Sequence, residues 1–111
     1  MNLKDTLNEA LKGRLRKFKF TQSKEECNYF PNDINELRDI IIPLIEEDPE
    51  CDLNDIWVGD IDNMSYLFCD IKFNGDISRW DVSNVESMYA MFYNSAFDGD
   101  ISDWNVSNVK D

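Results

Sequence analysis

Carboxylates are the side chains present in sufficient number for chemistry, since the 111-residue chain has 23 Asp and Glu against 11 Lys and Arg and no histidine. Close acidic pairs such as Asp98 and Asp100 have the composition of a general acid–base site. They flank glycine, however, and Asp-Gly-Asp is typical of a tight turn. The absence of histidine removes the usual base of a hydrolytic triad, and no Gly-rich phosphate loop is present. We therefore predict a chain that is not an enzyme and has no cofactor.

Metal binding is also not expected from the spacing of the acidic residues. The Asp-Gly-Asp segments lack the twelve-residue ligand spacing of an EF-hand. One alternative is a calcium ion held between Asp76 and Asp100. The three cysteines, Cys27, Cys51 and Cys69, are odd in number and form no Cys-x-x-Cys pair. They are predicted to be reduced, packed thiols, with a single regulatory disulfide as the alternative.

A 24-residue repeat organises the second half of the chain. The stretch Phe73–Val85 returns almost unchanged as Phe97–Val109, and stepping back by the same offset gives a degenerate first copy from Asp52. A fixed period of this size is typical of stacked supersecondary units. Apolar residues share the same positions in successive copies, which predicts inward-facing columns. These columns are Leu53/Ile77/Ile101, Ile56/Trp80/Trp104, Val58/Val82/Val106, Ile61/Val85/Val109, Met64/Met88, Leu67/Met91, Phe68/Phe92 and Phe73/Phe97.

Each copy is predicted to contain a short strand, a turn and a short helix. The alternation Trp80-Asp81-Val82 has the period of a strand, and the spacing of Val85, Met88 and Met91 is that of a helix. Gly75 and Gly99 are expected to take positive φ in the turns.

Two segments precede the repeats. Residues 1–28 are predicted to form an amphipathic helix with a leucine stripe, a basic arm at 14–20 and a polar linker. Residues 29–50 are predicted to form a helical cap over the first copy, with Asp33 as N-cap and Glu36 completing a capping box. Pro43 is expected to kink or break that helix. Residues 51–111 hold the repeats.

The repeat resembles that of the BspA-like leucine-rich repeat surface proteins, which reads F-N-x-D-I-S-x-W-D-V-S-N-V-x-x-M-x-x-M-F. Residues 73–92 reproduce the pattern, 97–109 repeat its first half, and 29–72 resemble a cap and first repeat. The fold class that this implies is an α+β repeat: a short right-handed leucine-rich-repeat-like solenoid of about 2.5 coils with parallel short strands, capped by an N-terminal helical segment. The better-known members bind host proteins or other cells at a surface, and short members occur in gut bacteria and their phages.

The candidate partner-binding residues lie between the inward columns. Repeated faces of this kind are where stacked arrays bind. Trp57 departs from Asp and Asn at the equivalent positions and is a candidate contact anchor. The alternative is that Trp57 packs under the N-terminal arm, against Phe18 or Phe20. The predicted site comprises Asp55, Trp57, Arg79, Asp81, Asp103 and Asn105.

The net charge of −12 is uneven along the chain. Residues 1–24 have seven basic and two acidic side chains, and the rest have four and twenty-one. We therefore expect a protein partner, with a basic surface if charge drives binding, and no direct nucleic-acid binding by the acidic part. The first hypothesis is a protein-interaction module. The alternatives are a small phage- or mobile-element-encoded inhibitor with an acidic face, and an assembly protein that forms homo-oligomers through an open C-terminal edge. No export signal or membrane span is recognised, so a cytoplasmic location is expected.

Overall fold

A computed structural model describes residues 21–111. The leucine-striped helix and the basic arm predicted within residues 1–20 lie outside the described residues. The described part begins with a 3₁₀ turn at Lys24–Glu26, followed by one α-helix, α1, at Ile34–Glu47. The rest of this part consists of turns and extended segments joined by isolated parallel bridges.

The N-terminus of α1 forms as the sequence predicts. The Asp33 carboxylate accepts a hydrogen bond from Glu36 N at 2.9 Å, which satisfies one of the free donors of the first turn. Glu36 Oε2 in turn accepts from Asn32 N at 2.8 Å. In a standard capping box this glutamate would accept from the N–H of the N-cap residue, Asp33, whereas here it accepts from the residue before it.

A break at Pro43 is wrong, because α1 runs without interruption through this residue, and the alternative of a kink there stays a prediction. Pro43 lies on the exposed side of the helix, as does Asp39 four residues earlier. Water can therefore hydrogen-bond the Asp39 carbonyl that has no N–H partner at Pro43. The opposite side buries Leu37, Ile41 and Ile45 in the same core as the first repeat copy.

The apolar columns of the repeat are confirmed as the core. Leu53, Ile56, Val58 and Phe73 are fully buried or nearly so, whereas Val106 in the last copy is 49% exposed. Aromatic rings stack at the repeat offset, with centroids 5.9 Å apart for Phe73 and Phe97 and 6.4 Å apart for Trp80 and Trp104. Offset-stacked pairs at such spacings stabilise the core beyond their buried area. The 24-residue period is thus the spacing at which side chains meet.

The predicted fold class is wrong, because residues 21–111 contain no named strand and no sheet. The parallel contacts are the single bridges Tyr29–Ile56, Asp52–Asp76 and Asn63–Ser87. The chain is therefore not a leucine-rich-repeat-like solenoid of about 2.5 coils with parallel strands.

The reason lies in the polar residues of the repeat. Asp76 Oδ1 accepts from Ser78 N at 2.9 Å, and Asp81 Oδ1 accepts from Ser83 N at 3.1 Å. The last copy repeats these turns at Asp100–Ser102 and Asn105–Ser107. Such local bonds occupy backbone donors that a longer ladder requires.

The predicted short helix in each copy is also wrong. Residues 65–70 and 89–94 form turns, and the N–H groups of Tyr66 and Phe68 donate to Tyr89 O and Met91 O of the next copy at 2.9 Å. Positive φ angles recur at Tyr66, Asp70, Ala90 and Asn94. A left-handed residue every fourth position prevents a helix from propagating.

Positive φ was expected at Gly75 and Gly99, and this too is wrong, because no described glycine has a positive φ. A Cβ on Gly75 would collide with the Cys51 carbonyl oxygen of the preceding copy. Glycine is required there for close backbone approach.

Candidate functional site

The predicted site residues lie in the turns and extended segments that recur in successive copies, and we call this surface the ladder face. It comprises Asp55, Arg79 and Asp103 in one row and Trp57, Asp81 and Asn105 in the next. Residues 22–28, predicted to be part of a linker, and Tyr29, predicted to begin the helical cap, lie across its first part. Asn28 N donates to Asp55 O at 2.8 Å, and Trp57 N donates to Tyr29 O at 2.8 Å. The ladder face therefore holds a segment of the same chain through backbone hydrogen bonds, and this segment contains the 3₁₀ turn at Lys24–Glu26.

Gln22 is the most deeply placed residue of this segment, and sequence reasoning missed it. Its side-chain Nε2 donates to Asn54 O and Ile56 O, both at 2.8 Å. Its Oε1 accepts from Val58 N and Asp81 N, both at 3.2 Å. Gln22 is 5% exposed, and the hydrogen bonds of its side-chain amide are therefore made to groups within the protein. The four partners belong to two repeat copies, so one side chain joins both copies.

Arg79 and Glu26 form an ion pair beside Gln22. Arg79 Nη2 lies 3.1 Å from Glu26 Oε2, and both side chains are partly exposed. The backbone N of Arg79 donates to Asn54 Oδ1 at 2.8 Å. Asn54, which is 7% exposed, was also missed, because the second and third copies have serine at this position.

These residues border a cavity of about 320 Å³. Asp55 is one of the lining residues, and its carboxylate also accepts a hydrogen bond from Asn28 Nδ2 at 3.1 Å. The lining is polar, with Gln22, Glu26, Asp52, Asn54, Asp55 and Arg79 contributing.

Trp57 is partly buried on the ladder face. Its ring lies over Gly59, where a Cβ would collide with the indole carbons. The indole Nε1 is buried and has no hydrogen-bond partner among the described residues. Its role as a contact anchor stays a prediction. Phe18 and Phe20, the alternative packing partners, lie outside the described residues.

The part of the ladder face that lies beyond residues 22–29, towards the third copy, is more exposed. The Asp81 carboxylate hydrogen-bonds within its own repeat copy, since its Oδ1 accepts from Ser83 Oγ at 2.6 Å. Asp103 and Asn105 are exposed. Of the six predicted residues, the structure therefore places four against or beside residues 22–29 and two in the open.

Local hydrogen bonds lower the pKa of two aspartates in the repeat turns. Burial alone would raise the pKa of Asp76, but hydrogen bonds from Ser78 N and Oγ bring it below its usual value. The pKa of Asp100 is lowered by hydrogen bonds from Ser102. Both groups therefore remain ionised at neutral pH and keep the repeat turns acidic.

Cys27 lies next to the site as a buried thiol. Burial, with the Asp55 charge as a further cause, raises its pKa, and its Sγ donates to Ser23 O at 3.4 Å. All three cysteines are free thiols. A raised pKa disfavours the reactive thiolate, so Cys27 packs the segment onto the ladder face.

The described residues group no three acidic or cysteine side chains in an arrangement that would hold a metal ion. Within this range there is also no helix with the length and apolar character to cross a bilayer. What the site offers is a set of backbone donors and acceptors bordered by carboxylates, and these groups are able to hydrogen-bond a peptide segment.

Comparison with known proteins gives one family. No curated protein matches the chain, and no solved structure matches it either. A family model described as "Mycoplasma protein of unknown function, DUF285" matches residues 46–111, which include all three repeat copies. Since this is more than half of the chain, the protein belongs to the DUF285 family.

Proposed function

We propose that this protein is a non-enzymatic protein-binding module that receives a segment of a partner on its ladder face. The observation that carries the proposal is the seating of residues 22–29, which contact the first two copies through backbone bonds and the Gln22 amide. The face thus contacts a segment that contains a 3₁₀ turn, and the support for the proposal is that backbone hydrogen bonds contribute to this contact.

The exposed continuation of the face is acidic. Asp103 lies on it without an ion pair among the described residues, and Asp98 and Asp100 are exposed in the adjacent turn. A basic partner segment complements this charge, and charge complementarity raises association rate and specificity.

The sequence supports the same function. The DUF285 family is associated with BspA-like surface repeat proteins, and the better-known members of that group bind host proteins or other cells. The repeat that carries this resemblance is also the part of the chain that builds the ladder face.

The test is partner capture followed by binding measurements with purified components. The immobilised full chain is crosslinked to partners in an extract of the source cells, and each captured protein is then purified and titrated. We expect Asp103→Arg to weaken binding about tenfold or more. The control Glu46→Arg makes the same change of charge on the exposed side of α1 and should leave binding within about twofold.

A salt series separates this function from a purely electrostatic inhibitor. Binding through backbone bonds should persist as salt rises from about 0.15 M to 1 M, whereas charge mimicry should be lost steeply. Equal binding by Asp103→Arg and wild type would contradict the proposal.

A further inference from the structure

The cavity beside Gln22 has the size of a site for a small organic group. Its volume of about 320 Å³ falls within the range of about 300–1,000 Å³ that is usual for ligand sites. The cavity opens to solvent, because Glu26 and Asp52 in its lining are exposed. The buried part of the lining consists of Gln22 and Asn54, which are 5% and 7% exposed. A group of a partner molecule can therefore enter the cavity from the solvent side.

The two buried amides of the lining are already hydrogen-bonded. The nitrogen and the oxygen of the Gln22 side chain both bond backbone groups of the repeat copies. The Asn54 amide donates to Asp52 Oδ1 at 2.9 Å and accepts from Arg79 N at 2.8 Å. Recognition of a ligand therefore depends on the charged side chains of the lining.

Three carboxylates of the lining each have one oxygen that can accept a further bond. Glu26, Asp52 and Asp55 each use one oxygen in a bond to a neighbouring residue. The other oxygens, Glu26 Oε1, Asp52 Oδ2 and Asp55 Oδ1, have no hydrogen-bond partner among the described residues. An ionised carboxylate only accepts hydrogen bonds, so a ligand for this cavity has to supply donors.

The charge and the arrangement of the carboxylates favour an organic cation. Three carboxylates against the single guanidinium of Arg79 make the lining negative, which attracts a cation. In residues 21–111, no three acidic or cysteine side chains are grouped as a metal ion requires. A guanidinium group is planar and has five N–H donors, whereas an ammonium group has three and is more strongly hydrated. The acceptors of the cavity therefore match a guanidinium group.

We infer that the cavity binds a guanidinium group, supplied by an arginine side chain of the partner segment. This inference rests on the proposed function and specifies one residue of its ligand. Asp55 and Arg79 belong both to the ladder face and to the cavity lining, so a segment bound on that face lies beside the cavity. Charge-assisted hydrogen bonds to carboxylates are stronger than neutral ones, and the arginine thus anchors the segment.

Blocked peptides test the inference on the full chain. The probe is acetyl-Gly-Gly-Arg-Gly-Gly-amide, and its binding is measured by NMR titration of the isotope-labelled protein, following the side-chain amide signals of Asn54. A citrulline peptide has nearly the same shape without the charge, and a lysine peptide keeps the charge without the planar fork. We expect each to bind about fivefold more weakly than the arginine probe, or worse.

Three results of these titrations would overturn the inference. The first is no binding of the arginine probe at millimolar concentration. The second is binding of the citrulline peptide within about twofold of the arginine probe. The third is equal binding of the lysine peptide, because attraction between charges alone would then explain the affinity.

Conservative variants of the protein locate the binding. In Asp52→Asn the new side chain can still accept from Asn54 N, as Asp52 Oδ1 does at 2.8 Å, but it has an NH₂ group in place of the second oxygen. Asp52→Asn and Glu26→Gln should each weaken the arginine probe about fivefold or more. The matched controls Asp39→Asn and Glu46→Gln, on the exposed side of α1, should stay within about twofold. Equal effects in cavity and control variants would contradict the site.

Two further arms identify the source of the guanidinium group. Ethylguanidinium should bind about threefold more weakly than the arginine probe, or worse, because it lacks a peptide backbone for the ladder face. Equal binding would assign the cavity to a free guanidinium compound. The double variant Arg14→Gln with Arg16→Gln should bind the probe within about twofold of wild type. A tenfold gain would show that the chain's own basic arm is the occupant, and either result would overturn the assignment to a partner.

Failure here is distinguishable from failure of the proposed function. If captured partners depend on Asp103 but bind Asp52→Asn as tightly as wild type, the ladder face binds proteins without an arginine in the cavity. If the partners ignore Asp103 and the arginine probe does not bind, both proposals are wrong.

Discussion

The side-chain nitrogen of Gln22 lies 2.8 Å from the carbonyl oxygen of Ile56, 34 positions later in the sequence. This bond joins the segment that precedes α1 to the first repeat copy, and the Oε1 atom of the same side chain reaches the second copy at Asp81 N. A polar residue that is 5% exposed thus holds three parts of the chain together.

Replacing Gln22 with glutamate should destabilise the protein strongly. The change preserves shape but removes both amide donors and buries a negative charge beside Asp55. We expect a loss of about 2–4 kcal/mol in the free energy of unfolding, measured by urea denaturation. The matched control Asn35→Asp makes the same chemical change at an exposed position of α1 and should stay within about 0.5 kcal/mol. Equal stability of the two variants would mean that Gln22 is not a structural link.

The two repeated glycines should respond differently to alanine. At Gly75, a Cβ meets the Cys51 backbone carbonyl, which cannot move without disturbing the contact between copies. At Gly99, the equivalent backbone atom, Gly75 O, is 3.4 Å away, and the closest contact is the Phe97 ring at 2.6 Å, which can shift. Gly75→Ala should therefore cost about 2–3 kcal/mol, and Gly99→Ala less than about 1 kcal/mol. Thermal or urea unfolding of the two variants is the measurement, and the reverse order would contradict the close approach at Gly75.

The two stacked tryptophans offer a similar comparison. Trp80→Phe leaves the buried Leu53 carbonyl without its indole donor and shrinks a side chain that is 0% exposed. Trp104→Phe makes the same change where the side chain is 7% exposed and water is closer. We expect a loss of about 2–3 kcal/mol for Trp80→Phe and about 1 kcal/mol for Trp104→Phe, measured by chemical denaturation. Equal losses of stability in the two variants would show that Trp104 is as well buried in solution as Trp80, which would contradict the structure.

Acid should remove part of the stability through Asp76. Its folded-state pKa lies below the ordinary value of 3.8, because hydrogen bonds from Ser78 outweigh the opposing effect of burial. A lowered folded-state pKa contributes stability above the unfolded pKa, and that contribution is lost as the pH falls through the folded-state pKa. Asp76→Asn should therefore flatten the decline in unfolding free energy below about pH 4, measured by urea denaturation at a series of pH values.

The control for this experiment is Asp98→Asn, which removes the same charge from an exposed turn residue. An identical pH dependence for Asp76→Asn and Asp98→Asn would show that Asp76 is not specifically stabilised as a carboxylate.

The apolar pattern was sufficient to predict the core from the sequence. Phe73 and Phe97 recur at a fixed offset, and apolar residues that share a position in successive copies bury one another whatever the backbone between them does. The start of α1 was equally predictable, because an Asp33 cap requires only a carboxylate three residues before a free N–H. Such signals are local or strictly periodic, and a single sequence contains them in full.

The backbone between the columns was decided by tertiary structure. The Asp and Ser residues of the repeat were interpreted as parts of strands and turns, but their side chains occupy the backbone donors and leave single bridges. Positive φ at Tyr66 and Ala90 was not predictable either, since neither residue type favours that conformation.

The sequence by itself determined which side chains form the core, where α1 begins and which residues alternate with the core on the ladder face. Only the tertiary structure decided that residues 22–29 cover the first part of that face and that Gln22 is buried there. The physical reason is that an amide side chain carries no hydrophobic signal, and its burial depends on four backbone partners that come together only when the copies stack.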